Sequence, residues 1–195
     1  MIRILFLLTC GLLLQNAHSQ TLTVTDTAVN TVAFHGDDMW VATKTSGIYQ
    51  LDLATGQKTH ASPPWDNCHT LKVLSGRLYA AFSTSLSYPL LARWDSVSGW
   101  QSLLSQFGQH FAVDTTNPSM VGTVNAMTVL GDTMLVASVS NTGLIWYDLQ
   151  QDEFLNRVNP VQDSASLTQE FGMSYVPDIY AMEPVGDTAI VAFAL

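Results

Sequence analysis

The sequence predicts an all-β chain in which one four-stranded antiparallel unit recurs along most of the length. Three observations carry this. Apolar and polar residues alternate with period two in short runs closed by Gly, Asp and Ser turns. The same columns of residue types return three more times downstream of their first appearance. Hydrophobic residues make up 47% of the chain and charged residues only 12%, enough apolar material to bury several sheets.

The first unit, Val32 to Gly56, shows the pattern most plainly. Val32 to His35 is an apolar run that ends at Gly36-Asp37-Asp38, a composition that accepts positive φ. Met39 to Thr43 follows, then the turn Lys44-Thr45-Ser46-Gly47. Within Ile48 to Leu53, the residues Tyr49, Leu51 and Leu53 share one face, as in a half-buried strand. A fourth, polar strand is expected near Lys58 to Ala61.

Taking Trp40, Tyr79, Leu135 and Ile190 as equivalent, the steps are 39, 56 and 55 residues, against roughly 40–50 for propeller blades. Val32, Leu71, Met127 and Met182 form an apolar column, and Gly36, Ser75, Gly131 and Gly186 a turn column. Ala42, Ala81, Ala137 and Ala192 are alanine in every copy, which predicts burial where neighbouring sheets approach closely. Asp52, Asp95 and Asp148 close the third strand of three copies, where a carboxylate can accept from turn N–H groups. The predicted architecture is a partial β-propeller, an open arc of about three four-stranded blades and an incomplete fourth. Blade 1 is expected over about 29–62, blade 2 over 69–104, blade 3 over 124–160 and the incomplete blade over 179–195.

Residues 1–19 read as a signal peptide, with Arg3 in the n-region, Ile4 to Leu14 as the h-region and Ala17-His18-Ser19 before the cleavage point. Export follows, to the periplasm, the cell surface or the medium. Cleavage leaves Cys68 as a lone cysteine, so no internal disulfide is expected. The formal net charge of −9, without a basic run, argues against nucleic acid as a partner. No stretch downstream of the leader is long and apolar enough to predict a membrane span. Because the chain stops on Ile190 to Leu195, an apolar strand, the sequence reads as the N-terminal part of a longer protein. The polar segments Ser105 to Val124 and Leu155 to Asp178 exceed the repeat and are expected as a fourth strand plus a long loop in each case.

Met39-Trp40-Val41-Ala42-Thr43 and Gly47-Ile48-Tyr49-Gln50-Leu51-Asp52-Leu53-Ala54-Thr55-Gly56 resemble the β-propeller repeats of bacterial two-component-regulator sensors. They are also similar to secreted bacterial propellers of the WD-repeat and quinoprotein-like classes. The resemblance covers about 160 residues. Copy two departs from it at Leu86 to Leu90, and copy four places Pro184 where the others have Phe34, Val73 and Val129. The resemblance implies fold and export, and leaves the reaction and any cofactor unassigned.

Asp66-Asn67-Cys68-His69 with His60 is the densest set of ligand-type residues, yet it lacks the paired spacing of a zinc site, so no metal is predicted. Asp37-Asp38 and Asp152-Glu153 fall in turns and read as solvated turn formers. There is no Gly-x-Ser-x-Gly elbow, EF-hand loop or phosphate-cradling glycine loop, so no catalytic residue is assigned. Trp40, Trp94 and Trp146 are expected to pack between blades. Trp65 and Trp100, read as loop residues, are candidates for stacking on a sugar or peptide, and His35, the odd member of its column, for lining a channel or face pocket. The expected function is a scaffold that binds a protein, peptide or glycan. The alternatives are a metal-dependent lactonase-like or quinoprotein-like propeller enzyme, or the sensor domain of a membrane receptor.

Overall fold

The computed structural model describes residues 28–61, 68–82, 91–111, 124–131, 134–139, 143–158, 179–186 and 188–193. Sheet 1 consists of β1 (Val29–His35), β2 (Asp38–Thr43), β3 (Ile48–Asp52) and β4 (Lys58–His60). Sheet 2 consists of β5 (Cys68–Leu74), β6 (Arg77–Phe82), β7 (Leu91–Asp95) and β8 (Gly99–Ser102), followed by helix α1 (Leu104–Phe111). Sheet 3 holds β9 (Val124–Leu130), β10 (Met134–Val139), β11 (Gly143–Asp148) and β12 (Glu153–Val158). Sheet 4 pairs β13 (Ile179–Val185) with β14 (Thr188–Phe193). Every sheet is an antiparallel meander in chain order. The first strands β1, β5, β9 and β13 lie side by side in succession, so the sheets follow one another around an arc. No helix among the described residues is long and apolar enough to cross a membrane.

Turn chemistry sets the strand ends. Asp52 Oδ1 accepts from the Ala54 and Thr55 amides at 2.8 and 2.9 Å. Asp95 Oδ1 accepts from Val97 and Ser98 at 3.0 and 2.7 Å, and Asp148 Oδ1 from Gln150 and Gln151 at 2.8 and 3.0 Å. The recurring aspartate therefore closes three turns in one way. Ser75, which stands in a glycine column, takes φ 48° and is followed by Gly76 at 74°, so both central residues of that hairpin turn are left-handed.

Each seam between sheets is its own small core. Ala33, Trp40, Ala42 and Ile48 of sheet 1 pack on Cys68, Leu71, Leu78, Ala80, Phe82 and Ala92 of sheet 2. The opposite face of sheet 2, with Tyr79, Ala81 and Leu91, meets Met127, Ile145, Tyr147 and Phe154 of sheet 3. Ala126 and Trp146 on the far face of sheet 3 pack with Ile179 and Met182 of sheet 4. Because a middle sheet buries both faces, strict alternation fails as a guide. In β6 of sheet 2 every residue from Leu78 to Phe82 is buried; in sheet 1, Leu53, expected to share the buried face of the third strand, is 45% exposed.

Four expectations need correction. Ala42 and Ala81 are fully buried, but Ala192 is exposed, because the face of sheet 4 that carries it meets no sheet among the described residues. Copy three is out of step in its first hairpin: Leu135 pairs with Val129, whereas Trp40, Tyr79 and Ile190 pair with Ala33, Lys72 and Glu183. Three residues instead of two separate the paired Leu130 and Met134, which shifts the register by one. The segment from Ser105 begins within helix α1, and the fourth strand of sheet 2, β8, lies before it; residues 112–123 lie outside the described residues. Leu104, Phe107 and Phe111 recur at helical spacing and press onto the sheet 2–sheet 3 core, and Ser102 Oγ accepts from the Leu104 amide at 3.2 Å. Trp100 lies in β8, not in a loop.

Candidate functional site

The turns at one end of sheets 1, 2 and 3 enclose an open cleft of about 480 Å³, lined by His35, Gly76, Arg77, Arg93, Trp94, Asp95, Ser96 and Asp152. His35 ends β1; Gly76 and Arg77 belong to the β5–β6 turn and the start of β6. Arg93, Trp94 and Asp95 end β7, and Asp152 stands in the turn between β11 and β12. The meander brings these turns to the same rim, so residues far apart in the chain meet there.

Asp152 organises the cluster. It adopts φ 60°, a left-handed conformation that Asp tolerates better than most side chains, and its amide donates to Asp148 O at 2.9 Å. Its Oδ1 accepts from Tyr147 Oη at 2.5 Å and from Arg93 Nη1, and its backbone carbonyl accepts from Gln106 Nε2 of α1. Arg93 Nη2 also donates to Gln101 Oε1 at 2.9 Å. Arg77 Nη1 donates to Leu149 O at 3.0 Å and stands 3.8 Å from Asp152 Oδ1. One residue thus ties sheets 2 and 3 together through its carboxylate and holds the helix through its carbonyl.

The electrostatics follow from these contacts. Burial by itself would raise the Asp152 carboxyl, but the hydrogen bonds from Tyr147 and Arg93 and the charges of Arg93 and Arg77 outweigh it and hold it below the ordinary carboxylate value. The same pairing raises Arg93 against the opposing effect of burial. The Tyr147 phenol is pushed up by burial, by its bond to Asp152 and by that residue's charge, so it stays a hydroxyl donor. The Tyr79 hydroxyl is buried nearby without a protein hydrogen-bond partner.

Arg77 reaches the cleft with 43% of its side chain exposed, against 18% for Arg93. Arg93 is committed to the seam, while Arg77 keeps donors for a guest. His35 lines the cleft too, half-buried, and its Nε2 contacts Gly76 O at 2.9 Å. A carbonyl only accepts, so Nε2 carries the proton in that bond. Trp94 supplies a partly apolar wall. The arrangement can hold a carboxylate or carbonyl at Arg77 beside an aromatic surface.

Of the binding candidates read from sequence, His35 lies in the cleft. Trp100 packs edge-on against Trp40 and Trp94, with ring centroids 5.9 and 5.4 Å away, inside the sheet 1–sheet 2 seam. Trp65 lies outside the described residues. Of the Asp66–His69 set, Asp66 and Asn67 lie outside the described residues, Cys68 is fully buried and His69 is exposed. Burial pushes the Cys68 thiol up to about 12. His60 belongs to sheet 1, where its Nε2 lies 3.0 Å from Ser46 O. Among the described residues no three His, Cys, Asp or Glu side chains come together as a metal site. Asp152, read as a solvated turn former, is instead the hub of the cluster. Arg93 was the available signal, a charge in a strand column that holds Gln50 and Trp146 in the other copies.

Several solved structures share this architecture. The computationally designed Ika4 protein matches with a TM-score of 0.53 and 11% identity over 88% of each chain. The WD40 repeats of RRP9 match with a TM-score of 0.53 and 14% identity, over 85% of this chain and 44% of that one. The N-terminal domain of Nup159 matches with a TM-score of 0.52 and 14% identity, over 85% of this chain and 39% of that one. The chain thus spans less than half the length of the last two. No protein-family model matches the chain, nor does the sequence of any curated protein. Meanders succeeding one another around an arc, together with these likenesses, make the fold a partial, open β-propeller.

Proposed function

We propose that this open propeller is an exported binding scaffold whose rim cleft receives a segment of a protein or peptide. The observation that carries the reading is the half-exposed Arg77 guanidinium, set beside Trp94 in a cleft that crosses three sheets. An arginine held by a neighbouring carboxylate and backed by an aromatic wall suits a carboxylate or main-chain carbonyl of an extended segment. The wall is rigid: Asp152 fixes Arg93, and the strand ends fix Trp94. Little ordering is left to oppose binding. A glycan fits the cleft less well, because among the described residues Trp94 is the one Phe, Tyr or Trp side chain that lines it.

The test is to pan a random-peptide library on the purified chain and measure the enriched peptides against Arg77→Ala. Arg anchors at interface centres typically carry more than 1 kcal/mol, and about 1.4 kcal/mol is tenfold in affinity. A loss of about tenfold or more is therefore expected. No enrichment, or peptides that bind the variant equally well, would overturn the reading.

Export rests on the sequence of residues 1–19 and places the scaffold in the periplasm, on the surface or outside the cell. N-terminal sequencing of the protein from its producing cell is expected to begin at or near Gln20. An intact Met1 on the mature protein would refute it.

A further inference from the structure

Arg77, Arg93, Asp95 and Asp152 bring charges of both signs to the rim cleft. Arg93 and Asp152 are bonded to each other and offset one another. That leaves Arg77 and Asp95. They sit on adjacent strands, each two residues nearer the rim than Tyr79 and Arg93, which face each other in the β6–β7 ladder. Opposite charges placed across an antiparallel pair ordinarily attract and join. Here each turns elsewhere. Arg77 leans to sheet 3, where its Nη1 donates to Leu149 O at 3.0 Å and stands 3.8 Å from Asp152 Oδ1. Asp95 is held by its own turn: Oδ1 accepts from the Val97 and Ser98 amides and from Ser98 Oγ. Among the described residues Asp95 Oδ2 has no hydrogen-bond donor, and no cationic side chain pairs with the carboxylate. The Ser98 amide and hydroxyl, with the Val97 amide, hold the Asp95 carboxyl below its ordinary value, so it stays charged at neutral pH.

The cleft therefore keeps one guanidinium and one carboxylate open and apart from each other. A guest with only a carboxylate gains at Arg77 and is repelled by Asp95. A guest with both signs is complementary at both places. A cation at Asp95 also meets Trp94, whose ring lines the same cleft and attracts positive charge. The formal net charge of −9 on the whole chain draws a basic group toward the protein as well.

We propose that the segment received by the cleft carries both signs, an acidic side chain seated on Arg77 and a lysine or arginine side chain on Asp95. This rests on the reading of the cleft as a peptide site, and adds the second group and its sign.

Peptides enriched from a random library on the unmodified chain are the probe. They are expected to carry a basic residue within a few positions of an acidic one. Asp95→Asn removes the charge but keeps the turn, because asparagine serves the same turn geometry. It is expected to weaken these peptides about fivefold, the factor that corresponds to an exposed ion pair of about 1 kcal/mol. Replacing the peptide's basic residue by glutamine is expected to cost the unmodified chain the same factor and Asp95→Asn nothing further, as for a direct pair. Far-UV circular dichroism checks that the variant keeps its sheets. If it does not, the glutamine peptide on the unmodified chain carries the test, and the absence of any loss there would overturn the proposal. Enriched peptides without a basic residue, or with equal affinity for a folded Asp95→Asn, would overturn it and leave the Arg77 reading standing. No enrichment, or indifference to Arg77→Ala, would overturn both.

Discussion

Replacing Trp40 by alanine is expected to destabilise the protein by about 3–5 kcal/mol, the cost of emptying a large aromatic site in a core. Trp40 is 1% exposed and its ring centroid lies 4.7 Å from that of Trp94 and 5.9 Å from that of Trp100. The alanine variant removes contacts with both partners and opens the sheet 1–sheet 2 seam. Nothing small can refill the gap, because Ala42, Ala80 and Ala92 already line it. Trp40→Phe is expected to cost less, since the buried Nε1 has no protein acceptor to lose. Urea unfolding followed by circular dichroism measures both variants. A loss below 1 kcal/mol for Trp40→Ala would mean that the three rings do not form a closed core.

Asp152→Asn is expected to cost about 1–3 kcal/mol at neutral pH. Uncovering one member of a buried ion pair costs about 3–5 kcal/mol, and this pair is partly screened, with 35% of the Asp152 side chain in solvent. Asparagine keeps the shape and tolerates the left-handed backbone, so the variant isolates the charge. The pH dependence has a definite sign. The Asp152 carboxyl is held below its ordinary value in the folded protein. Its contribution is therefore fully present above the unfolded value, near 3.9, and is lost as pH falls through the folded one. The difference between the native chain and Asp152→Asn should shrink as the pH drops below about 4. A difference that is constant from pH 7 to pH 3 would show that the carboxylate is not what Arg93 and Tyr147 need.

The repeat was legible because it is written in local chemistry. Asp52, Asp95 and Asp148 close their turns with their own carboxylates, a device confined to a few residues. Ala42 and Ala81 mark close approach because only a methyl fits between sheets. Helix α1 was hidden by the expectation of a polar connection, although Leu104, Phe107 and Phe111 carried the helical period. The Arg93–Asp152 contact spans 59 residues and two sheets, and no repeat or spacing rule links its ends. It depends on which turns reach the same rim, a property of the arc. Likewise, exposure of Ala192 is decided by its sheet's place in the series, although the residue itself obeys its column.

The unbroken chain order of the strands within each sheet also governs how the protein assembles in time. Every ladder joins neighbours in sequence, so each strand pairing closes only a short loop of chain. Sheet 1 completes its strand pairings by His60, and can form while later residues are still being synthesised. It would then wait with the Trp40 face open until β5 and β6 arrive to cover it. Nucleation is cheap and local, and the rate of reaching the native state is set by the docking of one finished sheet on the next.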